Sequence, residues 1–139
     1  MSDYEAIQSL LARYTDAINR RDFEVLPLLF ATDGAWHVDA GAGRVFHFEG
    51  PEVVPGIRGL VEHNSFLAQI ASLPVIEIDG DRARSRSMLQ EVLEPAGQEI
   101  RFVNFGFYED DMRKVNGQWV FQTRRFTMKN SNQTVPSAG

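Results

Sequence analysis

Apolar residues at positions 7, 10, 11, 14, 17 and 18 constrain this chain most, because they recur at three- and four-residue intervals. That spacing lines them along one face of an α-helix. The helix is predicted over Asp3–Arg20, with Ser2 or Asp3 as its cap and with Asp3 and Glu5 at the positive end of its dipole. A different period rules the second half. After Pro74 the pattern alternates, first in the strand Val75-Ile76-Glu77-Ile78. Asp79-Gly80-Asp81 then reads as a hairpin turn. Three long strands follow at about 82–94, 98–110 and 117–128, the last two joined at Asn116-Gly117. Helical periodicity first and an antiparallel meander last define an α+β fold. A strongly curved sheet wrapped over short helices would leave a cavity.

The middle reads as short elements. A second helix starts near Asp22 and buries Leu26, Leu29 and Phe30, with Pro27 late enough to strain or shorten it. Strands follow at about 34–39 and at Arg44-Val45-Phe46-His47-Phe48, separated by Ala40-Gly41-Ala42-Gly43. Val53 to Leu73 reads as a third helix carrying Ile57, Leu60, Val61, Phe66, Leu67 and Ile70. Residues 1–128 form one domain, and the polar residues 129–139 read as a mobile tail.

Composition closes off several functions. A chain of 139 residues has room for one core, and 43% hydrophobic against 24% charged residues predicts a folded protein. A net charge of -5 argues against general nucleic-acid binding, which needs a basic face. Paired surface charges account for Arg82, Arg84 and Arg86. Without cysteine there are no disulfides and no thiolate metal sites. No apolar run reaches the roughly 18 residues that span a bilayer. The acidic, polar start is unlike a signal peptide, so a cytoplasmic protein with no membrane partner is expected. Three scattered histidines lack metal-site spacing.

Several side chains can carry chemistry. Tyr14 lies on the buried stripe, either as core packing or facing a pocket. Along strand 82–94, Ala83, Ser85, Ser87, Leu89, Glu91 and Leu93 share a face. Glu91 among apolar neighbours suits a general acid or base, unless it pairs with Arg101 on the next strand. Ile100, Phe102, Asn104, Gly106 and Tyr108 share a face of the following strand, and Asn104 there can hydrogen-bond a ligand. His37 and Asp39 share one strand face and Trp36 and Val38 the other. His47, between Phe46 and Phe48, reads as outward. His63, on the predicted third helix, reaches a pocket rim. Arg124 and Arg125 read as solvating the sheet's rim.

Leu11-Ala12-Arg13-Tyr14, Asn19-Arg20-Arg21-Asp22-Phe23, Leu29-Phe30-Ala31-Thr32-Asp33-Gly34-Ala35-Trp36 and Ile76-Glu77-Ile78-Asp79-Gly80-Asp81-Arg82-Ala83 carry a family likeness, closed by Tyr108-Glu109-Asp110-Asp111 and Asn116-Gly117-Gln118-Trp119. Over about residues 5–128 the chain resembles the SnoaL-like branch of the nuclear transport factor 2-like superfamily. Relatives there include ketosteroid isomerase, scytalone dehydratase and polyketide cyclases. The resemblance implies a cone: a curved antiparallel sheet closed by three helices around an apolar pocket, often as a homodimer, with no metal or organic cofactor. It turns Trp36 and Val38 inward. Dehydratase-like members pair an Asp near the end of helix one with a His near the end of helix three. The matching positions here are Asn19 and Gln69, which do not titrate. Ketosteroid isomerase uses a carboxylate on the first strand, where this chain has Val38, and a phenol that matches Tyr14.

The resemblance therefore implies a dehydratase, isomerase or cyclase acting by proton transfer on a small apolar or aromatic, oxygen-bearing molecule. Tyr14 and Asn19 would polarise or orient that substrate, and His63 or Glu91 would move the proton. Trp36, Val38, Phe66, Gln69, Leu89, Phe102, Asn104 and Tyr108 would line the pocket. The two amides in place of an acid–base pair equally fit a non-catalytic binding module. They also fit an accessory subunit, like the small subunits of ring-hydroxylating dioxygenases, which share this fold.

Overall fold

The computed structural model describes residues 1–136. Helix α1 spans Asp3–Arg20 and buries Ile7, Leu10, Leu11, Tyr14, Ala17 and Ile18, the stripe read from the sequence. The Ser2 hydroxyl accepts the Glu5 amide at its start. At its end Arg21 turns left-handed at φ 57° and sends its amide back to the carbonyls of Ala17 and Ile18. The Arg21 guanidinium donates to the carbonyls of Glu62 and Asn64, holding that turn against the middle of the chain.

Helix α2 spans only Leu26–Leu29. It starts four residues later than Asp22, so Pro27 falls in its first turn, where a missing N–H costs nothing. Strand β1 (Phe30–Asp39) follows, then β2 (Val45–Glu49), a single 3-10 turn (Gly50–Glu52) and α3 (Val53–Val61). Gly56 in α3 lies under the Phe48 ring, where a Cβ would fall 2.4 Å from the ring.

The predicted third helix is twice too long. It stops at Val61, and Asn64–Ala71 form strand β3, paired antiparallel with β5 from Asn64↔Pro95 to Ala71↔Leu89. The Asn64 amide donates to the carbonyls of Leu60 and Val61 and so ends the helix. Spacing of Phe66, Leu67 and Ile70 suits either period, and the unpaired edge of a 14-residue strand decides for a sheet. Phe66 and Ile70 consequently stand on the outer face, 44% and 69% exposed.

Strands β4 (Val75–Asp79), β5 (Arg82–Pro95), β6 (Arg101–Val115) and β7 (Gln118–Thr134) complete a curved, open sheet of order β2-β1-β7-β6-β5-β3, with β4 also on β5. It is mixed, because β1 runs parallel to β7. That pairing corrects the all-antiparallel expectation: β1 enters from the helical layer rather than through a hairpin. Asn116 and Gly117 both take positive φ, the geometry of a tight two-residue hairpin. Residues 129–134, read as tail, continue β7 opposite β6 as far as Arg101↔Thr134. The remainder of that expected tail, residues 137–139, lies outside the described residues.

Register shifts at Phe105/Gly106 and Asp111/Met112 give β7 two extra residues, Lys129 and Gln122. Each bulge reverses the in–out alternation beyond it. Gly106 meets the first bulge with no side chain, and a Cβ there would fall 2.3 Å from the Phe126 ring. No helix among the described residues is long and apolar enough to cross a membrane.

Candidate active site

A cavity of about 370 Å³ opens between the inner face of the sheet and helices α1 and α3. Alternation along β1, β5 and β6 aims Trp36, Val38, Leu89, Phe102 and Tyr108 into it, and α1 adds Tyr14. α2 contributes nothing to the lining. Phe66, expected there, faces the other side of the sheet.

One polar row crosses the cavity wall. Gln69, Glu91, Asn104 and Ser131 are successive register partners on β3, β5, β6 and β7. The Gln69 amide donates to one Glu91 carboxylate oxygen at 3.1 Å, and the Asn104 amide donates to the other at 3.0 Å. The Ser131 hydroxyl donates to the Asn104 carbonyl at 2.6 Å. Arg101, the alternative partner for Glu91, instead grips Glu94 at 2.6 and 2.9 Å. Glu91 therefore faces the cavity held by two neutral donors and, among the described residues, by no cation. All four residues line the cavity.

Asn19 has a different task from the expected one. Its side chain accepts the Gln69 backbone N–H at 2.7 Å and donates to the Gln69 carbonyl at 2.9 Å. Both ends of the amide are consumed in joining α1 to β3, and Asn19 does not line the cavity. Gln69 does line it, but from a strand rather than a helix. His63 sits at the rim in the turn between α3 and β3, with Nδ1 3.0 Å from the Gly59 carbonyl. That contact makes Nδ1 the donor and leaves Nε2 free.

Tyr14 is 1% exposed, and its ring meets Phe30, Tyr108 and Phe121 edge-on. Burial pushes its hydroxyl up to about 12 against the opposing pull of the Arg124 cation. Burial, reinforced by Tyr14, drives Tyr108 well above the usual phenol value. Both phenols stay protonated and remain hydrogen-bond donors.

Behind them lies a second polar row that sequence reasoning missed. Ser85, Asp110 and Arg124 are register partners on β5, β6 and β7. Arg124, expected on the rim, is 1% exposed. The bulge at Gln122 is the reason: strict alternation from Phe121 would turn Arg124 outward. Its guanidinium carbon stands 3.6 Å from the Tyr108 ring centre, 4.2 Å from Tyr14 and 4.8 Å from Phe121. Nε lies 3.4 Å from the Asp110 carboxylate, whose other oxygen accepts from Ser85 at 3.1 Å. Burial outweighs the Arg124 charge and raises the Asp110 carboxyl to about 6.

Three buried polar atoms of cavity-lining residues have no partner among the described residues: the Trp36 indole N–H, Gln69 Oε1 and Asn64 Oδ1. Such atoms normally find a ligand or water. His37 and His47 face each other on the outer side of β1 and β2, their Nδ1 atoms 3.2 Å apart and away from the cavity.

Comparison with known proteins agrees with this architecture. A provisionally assigned scytalone dehydratase from Novosphingobium aromaticivorans superposes with TM-score 0.79 at 20% identity, over 99% of this chain and 89% of that one. A LinA-type hexachlorocyclohexane dehydrochlorinase from Novosphingobium barchaimii gives 0.81 at 17% identity, over 96% and 94%. A Mycobacterium tuberculosis protein of unknown function gives 0.73 at 27% identity, over 92% and 72%. No functionally curated protein matches the sequence. The SnoaL-like domain family matches residues 1–125, nine-tenths of the chain, and the protein belongs to that family.

Proposed function

We propose that the cavity binds a small, largely apolar carbonyl compound and moves a proton on the carbon beside its carbonyl, as a dehydratase, isomerase or cyclase does. The observation that carries this reading is Glu91: a cavity-facing carboxylate, oriented by two amides and paired with no cation. A substrate carbonyl oxygen at Tyr14 would accept a hydrogen bond from the phenol. Glu91 takes the proton from the adjacent carbon, and the electron pair moves onto that oxygen as an enolate. Return of the proton to another carbon isomerises the substrate. Loss of a hydroxyl from the next carbon dehydrates it, Glu91 passing the proton it took to the leaving oxygen, which departs as water. One buried donor aimed at an oxyanion is worth roughly 3 kcal/mol. The unpaired Trp36 N–H and Gln69 Oε1 support a ligand that carries both acceptor and donor groups.

α-Tetralone in deuterium oxide tests the proton transfer without knowledge of the natural substrate. Nuclear magnetic resonance should show the protein accelerating exchange of the hydrogens beside the carbonyl. Glu91→Gln should remove at least about a hundredfold of that rate, and Tyr14→Phe on the order of tenfold to a hundredfold. Equal rates in the wild type and Glu91→Gln would refute the assignment. A second reading, a binding module without catalysis, draws on the Asn19–Gln69 tie. There the Asn19 amide, which matches the family's acid position, is spent on the Gln69 backbone and holds α1 on β3. Ligand-induced stabilisation by α-tetralone with no exchange in the wild type would decide for it.

A further inference from the structure

The sequence pattern left the end of β7 without a role, yet it delivers a hydroxyl to the wall of the cavity. We infer that Ser131 and Asn104 are positioning residues that fix the orientation of the Glu91 carboxylate, and that the bulge at Lys129 is what brings Ser131 to them. The catalytic side of this inference rests on the reading of Glu91 as the proton carrier.

Three observations converge. First, the hydrogen bonds have one direction. Ser131 donates to the Asn104 carbonyl, which leaves the Asn104 NH2 group to face Glu91, where it donates. An amide turned the other way would set its oxygen against an acceptor-only carboxylate, and the Ser131 hydroxyl, by donating to the Asn104 oxygen, holds the amide in the orientation that Glu91 requires. With Gln69 donating from the other side, the donors of the row converge on Glu91. Second, the row is built by register. Its members are direct cross-strand partners, so their side chains meet without long reaches. Third, the placement needs the extra residue. Glu91 and Ser85 are six residues apart on β5, as are Asn104 and Asp110 on β6, whereas Arg124 and Ser131 are seven apart on β7. With Lys129 held in a regular ladder, Asn130 would oppose Asn104 and Ser131 would point to the outer face. β1 stops pairing with β7 at Thr127, so this last part of β7 is held by β6 alone.

A carboxylate whose two oxygens each accept one fixed donor cannot rotate freely. It keeps its remaining lone pairs aimed at one place in the cavity.

Ser131→Ala, Ser131→Thr and the outward-facing control Asn132→Ala test this in the ligand-free, full-length protein. The side-chain amide proton–nitrogen resonances of Asn104 and Gln69 should shift and exchange faster with water in Ser131→Ala. They should stay near wild type in Ser131→Thr and in Asn132→Ala, with all three variants equally stable. On α-tetralone, Ser131→Ala should lower kcat by about tenfold with KM within twofold, and threonine should restore it. Asn104 and Gln69 resonances unmoved by Ser131→Ala would overturn the inference, as would an equal shift in Asn132→Ala. Resonances that move only in Ser131→Ala uphold the positioning of Glu91 even where the wild type exchanges nothing. In that case it is the catalytic reading that fails.

Discussion

β5 and β7 flank β6 and contribute equally to the two polar rows, yet they differ as sequences. β5 pairs with β6 from Arg82↔Arg113 to Leu93↔Phe102 without a register shift. Its inward residues fall at every second position, and Leu89, Glu91 and Leu93 line the cavity as alternation requires. β7 carries an extra residue at Gln122 and another at Lys129. Its inward set runs Phe121, Arg124, Phe126, Met128 and Ser131, which no period of two describes. Regular strands in this protein supply walls and two carboxylates, Glu91 and Asp110. The bulged strand supplies the buried cation and the cavity hydroxyl, each one residue past the position that a regular strand would turn inward.

That contrast can be tested by breaking the β7 side. The largest effect is expected at Arg124, because Arg124→Met leaves Asp110 buried with only Ser85. Loss of one partner from a buried pair costs about 3–5 kcal/mol, read as a lower denaturant midpoint. Adding Asp110→Leu should recover most of it, and a fall as large in the double variant would show that Arg124 acts by packing alone. Next is Gly106→Ala, which puts a methyl group against the Phe126 ring and the Thr127 carbonyl beside the Lys129 bulge. Overpacking of this kind costs about 1–3 kcal/mol in the same measurement. An unchanged midpoint would mean that the bulge gives way freely.

A third signal is a difference in pH dependence. The Asp110 carboxyl rises from 3.8 to about 6 on folding. Between those values the folded chain holds a proton that the unfolded chain has released. This group's contribution to stability therefore declines as pH rises through that window, and its cost is fully present above about pH 6. Wild-type stability minus that of Asp110→Asn should fall from about pH 4 to pH 6 and then level off. A flat difference would place the Asp110 charge outside the folding balance.

The same contrast explains what was legible beforehand. Tyr14, Leu89, Glu91, Phe102, Asn104 and Tyr108 could be placed because α1, β5 and β6 keep one period along the residues concerned. The break at Val61 could not be read, because Phe66, Leu67 and Ile70 satisfy a helix as well as a strand. Only the ladder with β5 separates the two. Asn19 was read as facing a ligand because its position in the family suggests one. Its partner is a backbone 50 residues away, which no local pattern reveals. Arg124 and Ser131 were lost to bulges, and a bulge is set by the neighbouring strand as much as by its own residues.

Helix α1 is fastened at both extremities. Asp3 accepts from the Trp119 indole at 2.9 Å and from Lys114 at 3.0 Å, and these partners hold its carboxyl below the usual range. Asn19 is locked to β3 sixteen residues on. A beam bolted at either end does not slide or tilt easily, and Tyr14 hangs from its middle. On the function proposed above, its hydroxyl is in position before any guest arrives, and little has to be rearranged for recognition. Discrimination among guests then falls to the outline of the chamber rather than to a closing movement of this helix.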